Sequence, residues 1–373
     1  MGPDEIAALF PGLRGRIYMN TASLAPGCGP AVEALTAAAA DWAEGRLDWA
    51  DAERAGEEVR ARFGALVNAP ADCVALIPTA SAVAGLVAAH LPRRFPAGGN
   101  ILVGAEEFTS NLFPWRLLAD RGFEIRALPA EAGGVPEAAF AAAADGATRL
   151  VAVSAVQSAT GYRADLGRLR EIADRSGALL YVDAAQAAGA LALDVAALRL
   201  DAVAAPSHKF LLGTRGMGYA AFAPALRDAL DPLWAGWKAA AEPMASFYGP
   251  GMALSATASR LDASLAWINA LAERQSMGVL HRAGAARVAA GNLALAARMR
   301  AALREVGVPF LDHGPEHGST IFSCAPTVPD VAARLAEAGV VAAARAGRVR
   351  LSLHLFNTEA QVDLVAALLA GRG

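Results

Sequence analysis

The 373-residue chain is predicted to have an α/β fold: a mostly parallel, helix-covered sheet in a large domain, followed by a smaller C-terminal α/β domain. Three observations predict it. Short apolar runs alternate with helical stretches through the middle of the chain. The hydrophobic fraction of 55% is ample for a core larger than one ordinary domain. The polar residues that break the apolar runs stand at the run ends, where ligands sit in parallel sheets.

Taken in order, residues 30–67 have helical spacing, and "CVALIPT" then reads as a strand. Next come the helix "SAVAGLVAAHL", the strand "NILVGAE", the helix "NLFPWRLLADRG" closed by its glycine, and the strand "FEIRALPA". The strand "TRLVAVSAV", the helix "LGRLREIADRSG" and the strands "ALLYVDA" and "DAVAAPS" follow. Beyond about residue 262 the chain is helical over long stretches, then strand-like in "STIFSCA" and "RVRLSLH", with a closing helix. These readings place a large domain at residues 15–262 and a small domain at 1–14 and 263–373.

The bulk properties exclude several function classes. Charged residues are 18% and the formal net charge is -3, so no polyanion partner is expected and nucleic-acid binding is disfavoured. Cys28, Cys73 and Cys324 are far apart and form no CxxC pair, which predicts neither disulfides nor a metal site. The opening "MGPDEIAALFPGLRGR" does not read as a signal peptide. Asp183 and Asp194 interrupt the longest apolar stretch, so no membrane span is expected. A reducing cytoplasm is the expected location.

The strand-end rule brings Thr79, Glu107, Gln157, Asp183 and the corner Ser207–His208–Lys209 to one pocket. Lys209 at the end of a buried run has two readings: a lysine that snorkels to solvent, or an amine used in chemistry. Asp183 at the end of "ALLYVDA" is either a helix cap or a charge partner. Together they match what pyridoxal phosphate needs, a lysine for a Schiff base and an acid at the pyridine nitrogen. In "PTASAVAGL", Thr79, Ala80 and Ser81 open a helix whose free N–H groups attract a phosphate or serve only as a capped end.

The stretch "YVDAAQAAGALALDV…DAVAAPSHKFLLGTRGMGY" resembles class V, fold-type I aminotransferases, the group of cysteine desulfurases, selenocysteine lyases, kynureninases and isopenicillin N epimerase. "VGAEEFTSNLFPW", "SAVQSATGYRADL" and "RLSLHLFNTEAQVDLV" resemble further family blocks in the family's order, over roughly residues 15–370. The resemblance implies a homodimer with a shared active site, a small amino-acid substrate and pyridoxal 5′-phosphate as cofactor. It implies Lys209 as the Schiff-base lysine, Asp183 at the pyridine nitrogen and Gln186 near the phenolic oxygen. It implies Ser207 and His208 as phosphate ligands, with the backbones of Ala80 and Ser81. Phe108 takes the place of a ring-stacking histidine, Gln157 and Ser158 share the position of a polar ring contact, and Arg350 matches the grip on the substrate α-carboxylate. Thr257 in "SATASRLD" corresponds to a phosphate ligand for the partner's site.

The chain departs from the desulfurases where they carry a nucleophilic cysteine. That stretch is "EAGVVAAARAGRVR" here, and Cys324 falls inside "STIFSCAP", where a buried thiol is expected. The expected reaction is therefore a C–S β-lyase acting on an S-substituted cysteine or its sulfoxide, releasing thiol or sulfenate, pyruvate and ammonia. The alternative is an aminotransferase, or an epimerase or decarboxylation-linked oxidative deaminase of an amino-acid conjugate. Candidate walls are Asn20, Ser23, Trp115, Tyr162 and the aromatics Trp234, Trp237, Phe247 and Tyr248, which are equally readable as packing. His313, His317 and His354 read as packed or surface histidines.

Overall fold

Strands form where small and β-branched apolar residues run between turn residues; the computed structural model describes residues 1–372. Twelve strands lie within them. They are β1 Ile17–Tyr18, β2 Val74–Leu76, β3 Gly99–Gly104, β4 Phe123–Leu128, β5 Thr148–Ser154, β6 Leu179–Asp183, β7 Ala202–Pro206 and β8 Gly218–Phe222, then β9 Ile321–Cys324, β10 Val340–Val341, β11 Ala343–Arg345 and β12 Arg348–Ser352. Strands β2 to β8 form one seven-stranded sheet in the order β2-β8-β7-β6-β5-β3-β4. Only β8 runs against its neighbours, antiparallel to β2 and β7.

Pleating sends alternate side chains to two cores. Leu102, Val151, Leu180 and Val203 enter one, while Ile101, Leu150, Tyr181 and Ala202 enter the other. Both faces are covered, which is why the strands read as unbroken apolar runs. The antiparallel sheet β11-β12-β9 and the helices Ala285–Val306 and Glu359–Leu369 share a third core containing Met299, Phe322, Leu351 and Val365.

The structure redraws the expected domain boundaries. Helix Trp267–Ala283, expected in the small domain, packs Ala270, Met277 and Leu280 into the large core. Gly284 (φ 81°) then turns the chain into the helix that belongs to the small core. Phe10, from the segment 1–14 also expected there, is buried in the large core as well. Conversely, β1 pairs in parallel with β10 and Asn20 bridges to Ser352, so residues 17–20 join the C-terminal unit. The expected helix over "NLFPWRLLADRG" is broken into the single turn Phe113–Arg116 and a 3-10 turn, Ala119–Arg121. Trp115 and Leu118 must both reach one core before Gly122 (φ 84°) sends the chain into β4.

Two buried carboxylates fix the elements that carry the pocket. Asp262 accepts from Arg60 Nη2 at 2.5 Å and from the Leu76 N–H at 2.8 Å, tying the segment before the small domain to β2. Glu273 accepts from the Tyr219 hydroxyl at 2.9 Å and the Thr214 N–H at 3.3 Å, closing over Gly213, where any side chain would collide with it. Burial pushes the Glu273 carboxyl up to about 7, against a value of 4.5 when free.

Asp262→Ala leaves Arg60 with Glu57 as its one carboxylate partner and the Leu76 N–H without an acceptor, and is expected to cost about 1–3 kcal/mol, measured by urea unfolding. Because the folded value of Glu273 is the higher one, its contribution to stability is complete below pH 4.5 and is lost as pH rises through about 7. Melting temperatures measured across that window should fall, and Glu273→Gln should remove part of the fall.

Candidate active site

Parallel pairing aligns Ser154, Asp183 and Ala204 across β5, β6 and β7, so the chain after each of these strands opens onto one edge. A tight turn follows β7: the Leu212 N–H donates to Lys209 O at 2.9 Å and the Gly213 N–H to Ser207 O at 3.0 Å. The turn holds Lys209 in a cavity of about 550 Å³ that Asp183, Phe108, His208 and Arg350 also line.

Lys209 Nζ lies 5.6 Å from the centroid of the Phe108 ring. Burial lowers the Lys209 pKa, and the Asp183 carboxylate acts in the opposite sense. Asp183 mirrors this: burial raises its pKa and Lys209 restrains the rise. The carboxyl is 5% exposed, and among the described residues its one hydrogen bond comes from the Ala185 N–H at 2.9 Å. A buried acid and a half-buried amine thus line one cavity, each acting on the other's charge and neither hydrogen-bonded to the other.

One end of the cavity is built to receive an anion. Thr79 caps the helix Ala80–Arg94 by accepting from the Ala82 N–H at 3.1 Å, and Ala80 and Ser81 of its first turn line the cavity. His208 stands beside them with a buried Nδ1 that has no partner. Burial, with Lys209 and Arg215 nearby, lowers its pKa to about 4. Gln186 donates to Ala22 O at 3.1 Å, while its buried Oε1 is unpartnered.

The other end is cationic. Arg350, 3% exposed, donates to Ser158 O at 2.8 Å and to Ser23 Oγ at 2.6 Å. Burial and the charge of Arg345 lower its pKa to about 10. Gln157 lines the cavity, but its loop uses its amide: it donates to Glu106 O at 2.9 Å and accepts from the Thr160 N–H at 3.0 Å. Glu107 accepts from the Ser154 N–H at 2.7 Å and from the Ser154 hydroxyl, and burial, helped by Asp183, raises it to about 7.

Several expected residues lie elsewhere. Ser207 is fully buried and its hydroxyl donates to Thr214 O at 2.7 Å, so it is turned away from the cavity it was expected to serve. Within its own chain, Thr257 shares hydrogen bonds with Ser255 and Ser259 and caps the turn Ala258–Leu261, outside this cavity. Trp115 is a core residue donating to Asn111, because so large a ring fills the space behind the sheet. Tyr162 stacks on His317, Trp234 donates to Leu261 O, and Phe247 and Trp237 pack on each other; none lines the cavity, whereas Ser23 does. Tyr248 is exposed and does not line it either. His354 is buried between Asn292 and Phe210 O, and His313 and His317 bind backbone carbonyls. Cys324 is fully buried, with its thiol raised to about 12. Arg215 and Arg345, which the sequence reading passed over, both line the cavity.

The family model for aminotransferase class-V matches residues 47–365. The chain is 33% identical over 242 residues to a probable cysteine desulfurase of Methanothermobacter thermautotrophicus, covering 63% of this chain and 60% of that protein. It is 34% identical over 184 residues to the isopenicillin N epimerase of Amycolatopsis lactamdurans, covering 48% and 46%. The matched regions thus span about half to three fifths of these relatives. The fold matches the apo cysteine desulfurase of Thermococcus onnurineus NA1 with a TM-score of 0.85 at 22% identity, covering 99% of this chain and 97% of that one. It also matches the cystine C–S lyase C-DES, solved with its product cysteine persulfide, with a TM-score of 0.85 at 21% identity over 98% and 100%.

The cavity fits pyridoxal 5′-phosphate on its own chemistry. It offers a desolvated amine, a buried acid, unpartnered buried atoms on His208 and Gln186, and a helix N-terminus. With these features in place, and the family model covering most of the chain, the protein belongs to the class-V aminotransferase family of fold-type I enzymes, with pyridoxal 5′-phosphate as its cofactor.

Proposed function

We propose that the protein is a C–S β-lyase of an S-substituted cysteine or its sulfoxide. The observation that carries the reading is a lysine–aspartate–arginine cavity with no thiol in it: Cys28, Cys73 and Cys324 are all buried and none lines it. A persulfide-forming cysteine is therefore not at hand among the described residues, and the sulfur must leave with its substituent.

Lys209 would hold the cofactor's carbonyl carbon, Asp183 its pyridine nitrogen and Phe108 one ring face. Ala80, Ser81 and His208 would hold the phosphate, with Gln186 near the phenolic oxygen. When bound, the cofactor accepts the electron pair left at the substrate Cα. Arg350 grips the α-carboxylate with its planar fork, steadied by Ser23 Oγ and Ser158 O. Lys209, its pKa lowered by burial, takes the α-proton. The C–S bond then breaks, the thiolate leaves with a proton, and one water converts the remainder to pyruvate and ammonia.

The exposed apolar residues Phe113 and Leu117, in a groove with Ala88 and Pro92, support a homodimer. Thr257 would then serve the partner's phosphate site rather than its own. Among the described residues no helix is long and apolar enough to cross a membrane, and the unpaired Cys28, Cys73 and Cys324 fit a reducing cytoplasm.

Holoenzyme mixed with S-alkyl and S-aryl cysteines should release pyruvate and thiol in equal amounts, and with their sulfoxides pyruvate and sulfenate, while the cofactor spectrum returns to its starting form. Conversion to pyridoxamine phosphate without pyruvate would replace this reading with transamination, and loss of optical activity alone with epimerisation. Lys209→Ala is expected to lower turnover by about 10²–10⁴-fold, the usual worth of a general base.

A further inference from the structure

Strands β11 and β12 are joined by two residues, Ala346 (φ 48°) and Gly347 (φ 73°), both left-handed, as in the tightest hairpin turns. The pairing sets Ala343 opposite Arg350 and Arg345 opposite Arg348. Directly paired residues share a face, as do residues two apart, so Arg345 and Arg350 project to the same side. Their guanidiniums meet at one hydroxyl: Arg350 donates to Ser23 Oγ at 2.6 Å and Arg345 at 3.2 Å. Arg348, the third arginine of that face, is drawn off to Ser323.

No carboxylate forms an ion pair with Arg345 or Arg350 among the described residues, although the other two buried arginines, Arg60 and Arg170, each have such a partner. Two like charges on one hydroxyl repel each other at short range and leave an uncompensated cationic recess. The α-carboxylate neutralises one of them. Arg215, a further cation lining the cavity, adds to the surplus and cannot offset it, its charge acting on both His208 and Lys209. The surplus lies beside the substrate. Arg350 is deep, at 3% exposure, while Arg345 is exposed at the mouth.

We propose that Arg345 forms a second anion site, and that the substrate is an amino acid with a further carboxylate on its side chain, directed towards the mouth of the cavity. Under the lyase reading, on whose placement of the α-carboxylate at Arg350 the inference rests, this is an S-(carboxyalkyl)cysteine. The hairpin that stands where a desulfurase carries its cysteine loop thus becomes the element that selects the leaving group. The turn leaves no length for that hairpin to swing, so the guanidinium is presented from a short, stiff support.

The test measures binding apart from turnover. Calorimetric titration of the holoenzyme with butyrate and with glutarate compares a mono- and a dicarboxylate that perform no chemistry. Glutarate should bind about tenfold tighter or better, the worth of one added charge-assisted pair. In Arg345→Gln that advantage should vanish while butyrate binding is unchanged. Equal loss for both ligands would make Arg345 part of the α-carboxylate grip and overturn the proposal, as would equal binding of the two by the unaltered enzyme. Turnover of S-(2-carboxyethyl)cysteine against S-propylcysteine then gives a separate reading. A glutarate preference without pyruvate release would sink the lyase and keep the second anion site.

Discussion

Holding the Lys209 ammonium and the Asp183 carboxylate largely withdrawn from water in one cavity is the constraint on which the site depends. Each charge alone would be expelled or neutralised by the protein around it. Burial presses both groups towards their neutral forms, and their mutual attraction opposes it. The pair is therefore poised, with a basic amine and an acid ready to accept a strong partner. Parallel pairing makes this arrangement possible by bringing the ends of β6 and β7 to the same edge.

Keeping the pair in place falls largely to groups behind the cavity. The turn after Lys209 is closed from behind by Glu273, which binds both Thr214 and Tyr219. Ser207 adds its own bond to Thr214 O, so a residue expected to bind phosphate instead stiffens the turn that carries the lysine. The N-terminal segment contributes at two points: the Ala25 N–H donates to His208 O at 2.8 Å, and Ser23 meets Arg350. Because residues 17–20 pair with the C-terminal unit, the same segment couples the small unit's arginine to the large unit's lysine.

The choice among reactions is then set at the cavity wall. All of them begin with the same lysine and the same electron-accepting cofactor, so what differs is which group stands near the side chain of the substrate. Under the proposed reading that group is the Arg345 guanidinium on a hairpin with a two-residue turn, while Glu107, held by Ser154, lines the same cavity.

The alternation of apolar runs and helices was enough to predict a parallel sheet, because strands buried on both faces must be apolar along their whole length. The strand-end rule then placed Asp183, Lys209 and Glu107 together, since position along a strand is a matter of counting. Counting does not say which way a side chain turns or what fills the space behind it. Ser207 and Trp115 were therefore misplaced in the cavity, and the helix 267–283 was given to the wrong core, its apolar stripe being compatible with either. Arg345 and Arg350 are five positions apart in sequence, and nothing in that spacing joins them. The register of the hairpin does so by pairing Ala343 with Arg350 and so setting both arginines on one face above Ser23, more than three hundred residues away.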